Sequence, residues 1–285
     1  MINILVTGGN GQLAKCIKDL ENTDGNLKFI YTDYQELDIS NIEAVETFFK
    51  NNQVDYCINC AAYTAVDLAE NDQENAIKIN ELGVKNLAIE CQKNNSTLIH
   101  ISTDFVFNGK QTSFYKEEDA PDPISVYGAT KLQGEVQLQN HLTKYFILRT
   151  SWLYSEHGNN FMKTMIRLSK EKNQLSVVTD QIGTPTYATD LASVIMKLIS
   201  NNTNQYGIYH YSNEGVASWY DFAKAIFEEI GSKIKLVPIK SIEYPTPAQR
   251  PQFSVLDKSK IKSTLQIEIP YWRDSLRKAI LNYNE

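Results

Sequence analysis

A tyrosine and a lysine four residues apart, Tyr127 and Lys131, are the residues of this sequence best suited to proton transfer. On a helix, this spacing puts both side chains on one face. An ammonium beside a phenol stabilises the phenolate, so Lys131 is predicted to lower the pKa of Tyr127 and make it a proton donor. The same pair also fits an ordinary solvated helix face, so the elements around it must decide.

Two other stretches could meet this pair. An apolar strand predicted at residues 98–101 ends in the hydroxyl and carboxyl groups of Ser102-Thr103-Asp104. Another predicted strand, at residues 2–7, runs into Gly8-Gly9-Asn10-Gly11-Gln12-Leu13 and then into a helical pattern. A strand, a glycine turn and a helix in this order are typical of sites where a helix N-terminus receives a pyrophosphate.

An acidic residue, Asp33, follows the second predicted strand at residues 28–31. A carboxylate about 20 residues beyond the glycine turn can reach the ribose hydroxyls of a dinucleotide. The Asp33 carboxylate would repel the 2′-phosphate that distinguishes NADPH from NADH, and the next two residues supply no cation to offset this. NADH is therefore expected to be used at least as well as NADPH. An ordinary loop role for Asp33 stays open. After a third strand at residues 56–60, Ala61-Ala62-Tyr63 could lie against the cofactor.

Five strands alternate with helices up to residue 150, which predicts an α/β fold with a Rossmann-like, doubly wound parallel sheet. Residues 1–150 are expected to form an NAD(P)-binding domain. Residues 151–285 are expected to form mainly a smaller C-terminal substrate-binding lobe, interleaved with returns to the sheet. Long helices are expected at about residues 75–94, with the polar Asn80 in the middle, and at about 127–141.

Composition excludes several function classes. The 285 residues carry a net charge of −6 without a basic block, which argues against nucleic acid or an anionic membrane as the main partner. The N-terminal residues lack a signal-peptide pattern, and a cytoplasmic location is expected. Cys57 and Cys60 form a C-x-x-C pattern inside an apolar strand, so they are expected to be buried structural thiols rather than metal ligands.

Further motifs occur in one order along the chain. They are GGNGQL at 8–13, CAAYT at 60–64 with Val66, Asp67, Ala69 and Glu70 after it, STDFVF at 102–107, the Tyr-x-x-x-Lys pair, RTSWLY at 149–154, DQ-x-G-x-PT at 180–186, and Arg250-Pro251. Together they resemble the dTDP-4-dehydrorhamnose reductases, a family of extended short-chain dehydrogenases/reductases. The resemblance spans nearly the whole chain.

The resemblance implies reduction of the C4 ketone of dTDP-4-dehydro-L-rhamnose by NADPH or NADH, giving dTDP-L-rhamnose. It implies Tyr127 as the general acid and Lys131 on the nicotinamide ribose. Thr103 would hydrogen-bond the carbonyl oxygen. The implied cofactor-binding residues are Gly8, Gly9, Asn10, Gly11, Gln12, Leu13, Asp33, Asp38, Ile39, Ala61, Ala62, Tyr63, Tyr127 and Lys131.

Three more residues are implied at the substrate. Asp104, like Thr103, and Trp152 would contact the sugar, and the guanidinium of Arg250 would lie close to the nucleotide diphosphate. By residue type alone, Trp152 also fits a core aromatic and Arg250 a surface cation.

The sequence departs from the family at two positions and leaves other functions open. Ala14 replaces the usual third glycine, which still permits close helix packing. Lys15 stands where some members carry a magnesium-binding glutamate at a dimer interface, so no metal and no magnesium-bridged dimer are expected. Whether the chain forms a homodimer stays open. The alternatives are a reductase or epimerase of another nucleotide sugar, and a non-catalytic regulatory subunit like that of methionine adenosyltransferase.

Overall fold

The computed structural model describes residues 1–21 and 26–284, and its first half alternates strands with helices. Within the described residues, no helix has the length and apolarity needed to cross a bilayer. The strands of this half are β1 Ile2–Thr7, β2 Leu27–Thr32, β3 Tyr56–Asn59, β4 Thr97–Thr103 and β5 Tyr145–Thr150. Its helices are α1 Gln12–Asp19, α2 Ile42–Asn51, α3 Val66–Ala69, α4 Gln73–Ile77, α5 Val84–Lys93 and α6 Val126–His141.

The second half contains shorter strands among its helices. The strands are β6 Leu153–Tyr154, β7 Gln174–Val178, β8 Ile182–Gly183, β9 Thr186–Tyr187, β10 Gly207–His210, β11 Ala217–Ser218 and β12 Lys235–Ile239. The helices are α7 Phe161–Glu171, α8 Ala188–Ser200, α9 Trp219–Glu229, α10 Ser259–Leu265 and α11 Trp272–Asn284. Two-stranded ladders join β7 to β12, β8 to β11 and β6 to β9.

Six parallel strands form the central sheet in the order β10-β5-β4-β3-β1-β2. The strand order reverses between β1 and β3, where open α/β sheets have a crevice at their carboxyl edge that binds ligands. The predicted α/β class and parallel sheet are confirmed. The edge strand β10 comes from residues 151–285, so both halves of the chain build the sheet. The division at residue 150 into a cofactor domain and a substrate lobe stays a prediction.

Helices cover both faces of the sheet. Alternate residues of β1 point to opposite sides, so Ile4 and Val6 pack in one buried cluster and Leu5 in another. The first cluster includes the apolar faces of α1 and α8, and the second those of α2, α5 and α6. A third cluster joins α7, α9 and α11 in the second half. The helices thus cover the two faces of the sheet but not the edge formed by the carboxyl ends of its strands.

The long helix expected at residues 75–94 is interrupted by a π turn at Lys78–Gly83, between α4 and α5. In this turn the buried Asn80 side chain accepts from the Tyr63 N–H at 2.8 Å and donates to the Tyr63 carbonyl at 3.1 Å. It also donates to the Thr130 hydroxyl at 3.2 Å. A Cβ at Gly134 of α6 would collide with the Asn80 carbonyl, so glycine lets α6 pack directly on this turn. Asn80 thus ties the loop after β3 to the helix that carries Tyr127.

Candidate active site

The glycine turn after β1 leaves a helix N-terminus exposed to the carboxyl edge of the sheet. Gly8 has φ +65°, and a Cβ there would lie 2.7 Å from the Ala61 backbone nitrogen, so glycine is required. Gly11 is the N-cap of α1, and no side chain caps this helix. The first N–H groups of a helix have no partner within the helix and attract anions. This end of the site fits the pyrophosphate of a dinucleotide.

A cavity of about 770 Å³ opens along the carboxyl ends of β1 to β5. This volume is within the usual range for small-molecule sites. Most of the predicted site residues line it, namely Gly8, Asn10, Gly11, Gln12, Leu13, Asp33, Asp38, Ile39, Ala61, Ala62, Thr103, Asp104, Tyr127, Lys131, Trp152 and Arg250. Gly9 and Tyr63 are not part of its wall. Gly9 bonds to the Thr32 carbonyl at 2.8 Å, and the Tyr63 phenol donates to Asp72 at 2.9 Å.

One end of the cavity is acidic. Asp33 accepts from the backbone N–H groups of Asn10 at 2.8 Å and Tyr34 at 2.7 Å, which fixes its carboxylate beside the glycine turn. Glu36 accepts from the Asp33 N–H at 2.9 Å and adds a second negative charge that the sequence interpretation did not include. Asp38 accepts from the backbone N–H and the hydroxyl of Ser40, in a tight turn. Carboxylates at this end suit ribose hydroxyls and disfavour a 2′-phosphate.

Tyr127 lies in the first turn of α6, directly in front of β4. The helix begins after Ser125, whose hydroxyl accepts from the Gly128 N–H at 3.2 Å and caps it. The Tyr127 ring packs edge-on against Phe105, with 5.6 Å between ring centroids. This packing directs the phenol into the cavity beside Thr103, whose hydroxyl donates to Asp104 at 3.1 Å. The structure therefore brings Thr103, Asp104 and Tyr127 together.

The expected lowering of the Tyr127 pKa by Lys131 is wrong. Burial raises the pKa of Tyr127 to about 12, and the charge of Asp104 adds to this rise. The Thr103 hydroxyl lowers the pKa, but by less than burial raises it. At neutral pH the phenol therefore keeps its proton, which is the form a proton donor needs.

Lys131 is directed at the sheet rather than at the phenol. Its Nζ donates to the Ile101 carbonyl at 2.7 Å and lies 3.4 Å from Nε2 of His100. Only 2% of the residue is exposed, and this burial lowers its pKa to about 8, although Glu135 acts in the opposite direction. Lys131 nevertheless lines the cavity. Its helical spacing from Tyr127 predicted the shared face but not these partners.

Asp104 is a buried carboxyl whose second oxygen has no partner among the described residues. Oδ1 accepts from Thr103, and Oδ2 is fully covered without a hydrogen bond. Burial raises the pKa of Asp104 from 3.8 to about 6, although the nearby hydroxyls of Ser254 and Thr103 act in the opposite direction. An unpaired buried acceptor costs free energy that a ligand hydroxyl could recover. Because Asp104 lines the cavity, its carboxyl is suited to accept such a hydroxyl.

Two stacked tryptophans form the opposite wall. The rings of Trp152 and Trp219 lie 3.6 Å apart between centroids and 7° from parallel. Trp152 has φ +46°, a left-handed conformation that is rare for a large residue, and its indole packs directly over Gly183. The sequence patterns do not predict Trp219 as a site residue, because it lies 67 positions beyond Trp152 and outside the motifs that carry the family resemblance. The expected contact of Trp152 with the sugar is compatible with this position.

Arg250 also lines the cavity, where it is paired with a carboxylate. Its two terminal nitrogens donate to the two oxygens of Asp67, at 3.0 and 2.7 Å. The Thr246 hydroxyl and the Ala248 carbonyl accept from the same guanidinium. This pairing lowers the pKa of Asp67. Arginine has five N–H donors, so a guanidinium held in this way still has some for a phosphate oxygen.

The C-x-x-C pattern divides between core and cavity. Cys57 is buried as expected, whereas Cys60 is only partly buried as a residue and lines the cavity, although burial raises the pKa of its thiol. Within residues 1–21 and 26–284, one group of possible metal ligands lies together, at Asp19, Glu156 and His157. The His157 Nε2 already contacts Asp19 at 2.6 Å, and Lys15 is not a member. The absence of a metal stays a prediction that a magnesium titration tests.

Comparison with known proteins identifies the family. Residues 2–285 match the family model described as the RmlD substrate binding domain. A dTDP-4-dehydrorhamnose reductase of Aggregatibacter actinomycetemcomitans is 42% identical over 97% of this chain and 98% of its own. A crystal structure of such a reductase from Clostridium acetobutylicum has a TM-score of 0.95 at 42% identity and covers 100% of both chains. The Bacillus anthracis enzyme, solved in complex with NADP, has a TM-score of 0.96 at 41% identity, with 99% of this chain and 100% of that one covered. The family predicted from the motifs is confirmed, and the chain belongs to the dTDP-4-dehydrorhamnose reductase family.

Proposed function

We propose that the protein reduces the C4 ketone of dTDP-4-dehydro-L-rhamnose to give dTDP-L-rhamnose, with NADPH or NADH as cofactor. The observation that carries this proposal is the convergence of Thr103, Asp104, Tyr127 and Lys131 in one cavity with an uncapped helix N-terminus. The family membership supports the same reaction.

In the proposed reaction, Tyr127 transfers the proton, and Thr103 and Lys131 bind the reacting groups. Bound NADPH or NADH would supply the hydride that reaches C4. Tyr127 holds its proton at neutral pH and donates it to the carbonyl oxygen as negative charge develops there. The Thr103 hydroxyl hydrogen-bonds the same oxygen and stabilises that charge. Lys131 orients the ribose next to the nicotinamide, and its ammonium stabilises the phenolate left on Tyr127.

Substrate contacts come from both halves of the chain. The Asp104 carboxyl, which lines the cavity, accepts a hydroxyl of the sugar. Trp152 covers one face of the sugar, and Trp219 supports it from behind. Arg250 binds the diphosphate with the N–H groups that Asp67 does not use. Residues 1–150 thus supply the cofactor site, and residues 151–285 contribute mainly to the substrate site.

A coupled assay tests the proposal. The substrate is generated enzymatically, and loss of the reduced nicotinamide absorbance is followed with NADH and with NADPH for the wild type, Tyr127→Phe and Tyr145→Phe. Tyr127→Phe is expected to lower kcat by about 10²–10⁴-fold while cofactor binding persists. The control Tyr145→Phe removes a hydroxyl from β5, outside the residues that line the cavity, and should keep the wild-type rate.

Two outcomes would contradict the proposal. A Tyr127→Phe variant with the wild-type rate would show that this phenol is not the proton donor. No oxidation of either cofactor by the wild type, despite measurable binding, would favour another nucleotide sugar or a regulatory subunit without catalysis.

A further inference from the structure

A buried histidine, His100, connects Lys131 to the end of β3. It lies in β4, has no exposed surface, and has hydrogen-bonding groups at both ring nitrogens. Asn59 Nδ2 is 3.1 Å from Nδ1, and Lys131 Nζ is 3.4 Å from Nε2. The proposed reaction uses Lys131 but assigns no role to His100 or Asn59.

The backbone of Ala61 determines which ring nitrogen carries the proton. An N–H group can only donate, and that of Ala61 points at Asn59 Oδ1 from 3.2 Å. The Thr7 hydroxyl lies 2.7 Å from the same oxygen. Asn59 therefore turns its NH₂ group toward Nδ1 of His100, which must accept. A neutral imidazole with an accepting Nδ1 carries its proton on Nε2, facing Lys131.

This tautomer opposes the charge on Lys131. When Lys131 is an ammonium, its N–H donors face another donor, the Nε2–H of His100. When Lys131 is a neutral amine, its lone pair can accept that N–H, and one of its own N–H groups still donates to the Ile101 carbonyl at 2.7 Å. Burial keeps the pKa of His100 well below its usual value, and the charge of Lys131 lowers it further, so the ring stays neutral.

We propose that His100 is a positioning residue: held as the Nε2–H tautomer by Asn59, it disfavours the ammonium form of Lys131 and so limits the pH range in which the enzyme is active. The inference rests on the proposed role of Lys131. After Tyr127 has given its proton to the product, a lysine that releases a proton readily can restore the phenol.

Other groups around Lys131 act on it as well. Glu135, one turn further along α6, favours the ammonium, and Cys60, beyond β3, would do so only as a thiolate, which burial disfavours by raising the pKa of its thiol. Glu135 is itself paired with Arg149 at 2.7 Å, which reduces its influence. Tyr127 keeps its proton in the same cavity and so adds no charge near Lys131, and Asp104 acts on Tyr127. Removal of the Nε2–H should therefore leave these groups in place and make the ammonium more stable.

The kinetic test is the substitution His100→Asn. The asparagine oxygen can replace Nδ1 as the acceptor for Asn59, whereas its NH₂ group ends short of the position of Nε2, so the donor that faces Lys131 is lost. In the pH profile of kcat, the alkaline limb is the decline of activity as Lys131 loses its proton. This limb should move up by about one pH unit, because the Nε2–H donor no longer destabilises the ammonium of Lys131. The matched control is His210→Asn, which removes another fully buried histidine, in contact with Arg149 and the Tyr115 carbonyl, and should leave the limb in place.

A second measurement does not depend on activity. In protein labelled with ¹⁵N-histidine, the ring nitrogens of the four histidines can be observed by NMR, and His100 is assigned by its loss in His100→Asn or by contacts to β4. A neutral ring with its proton on Nε2 across the neutral pH range is expected. An Nδ1–H tautomer, a charged ring, an unshifted alkaline limb in His100→Asn, or an equal shift in His210→Asn would each overturn the proposal.

One further variant separates the proposed role of Lys131 in the reaction from the proposed effect of His100 on Lys131. Full activity of Lys131→Met would refute the proposed role of Lys131, whereas the NMR result tests the arrangement of Asn59 and His100 by itself. If His100→Asn does not fold, the NMR measurement on the wild type still decides between the two tautomers.

Discussion

The buried carboxyl of Asp104 should destabilise the fold in a pH-dependent way. Its pKa is 3.8 in the reference state and about 6 in the folded protein, so the folded state binds the proton more tightly. The cost to stability is therefore absent below pH 3.8, grows between the two values, and is complete above about 6. A rise of about two units, at about 1.4 kcal/mol each, corresponds to about 3 kcal/mol. Only 2% of the residue is exposed, so screening by solvent reduces this little.

Asp104→Asn removes the titration while keeping the shape of the side chain. The difference in free energy of unfolding between the variant and the wild type should shift by about 3 kcal/mol in favour of the variant as the pH rises from acid to neutral. Urea unfolding at several pH values measures this difference. Its kcat/KM should fall roughly tenfold or more, because a charged acceptor for a sugar hydroxyl is lost. Val106→Ala, a nearby buried change without a titrating group, should cost the same at every pH. A difference between Asp104→Asn and the wild type that does not change with pH would refute the reasoning.

Two other changes test the cofactor and sugar ends of the cavity. Asp33→Ser removes a charge that opposes a 2′-phosphate, so the ratio of kcat/KM for NADPH to that for NADH should rise roughly tenfold, a change of about 1.4 kcal/mol; an unchanged ratio would exclude Asp33 from discrimination. Gly183→Ala would place a Cβ 2.7 Å from the Trp152 ring, which the stacked Trp219 prevents from moving freely, so kcat/KM should fall roughly tenfold or more and tryptophan fluorescence should change. Gly231→Ala has nothing within 4 Å of its Cβ but strains a backbone with φ +65°, outside the residues that line the cavity, so it controls for a general loss of stability; equal losses of kcat/KM in both variants would contradict this explanation.

Local sequence patterns predicted the regular elements of the fold, because each depends on residues that are close in the chain. The alternation of apolar strands and helices up to residue 150 was sufficient for the parallel sheet. The π turn at Lys78–Gly83 could not be predicted in the same way, because the contacts that its Asn80 makes with Tyr63 and Thr130 come from other elements. Returns of residues 151–285 to the sheet were predicted, but the place of β10 at its edge depends on pairing with β5.

For the candidate site, sequence spacing predicted which residues lie together but not how they are protonated. The spacing of Tyr127 and Lys131 predicted that they share a helix face and line one cavity, and they do line it. It could not predict the direction of the Tyr127 pKa, because burial by the surrounding fold outweighs the effect of any neighbouring residue on the helix. Lys131 lies against β4, where Ile101 and His100 are 30 and 31 residues away in the chain. Helical spacing thus identifies residues that can act together, whereas their protonation depends on burial against other elements, which for Lys131 include β4. For this reason we expect substitutions in β4, more than those on the exposed face of α6, to change the pH dependence of the enzyme.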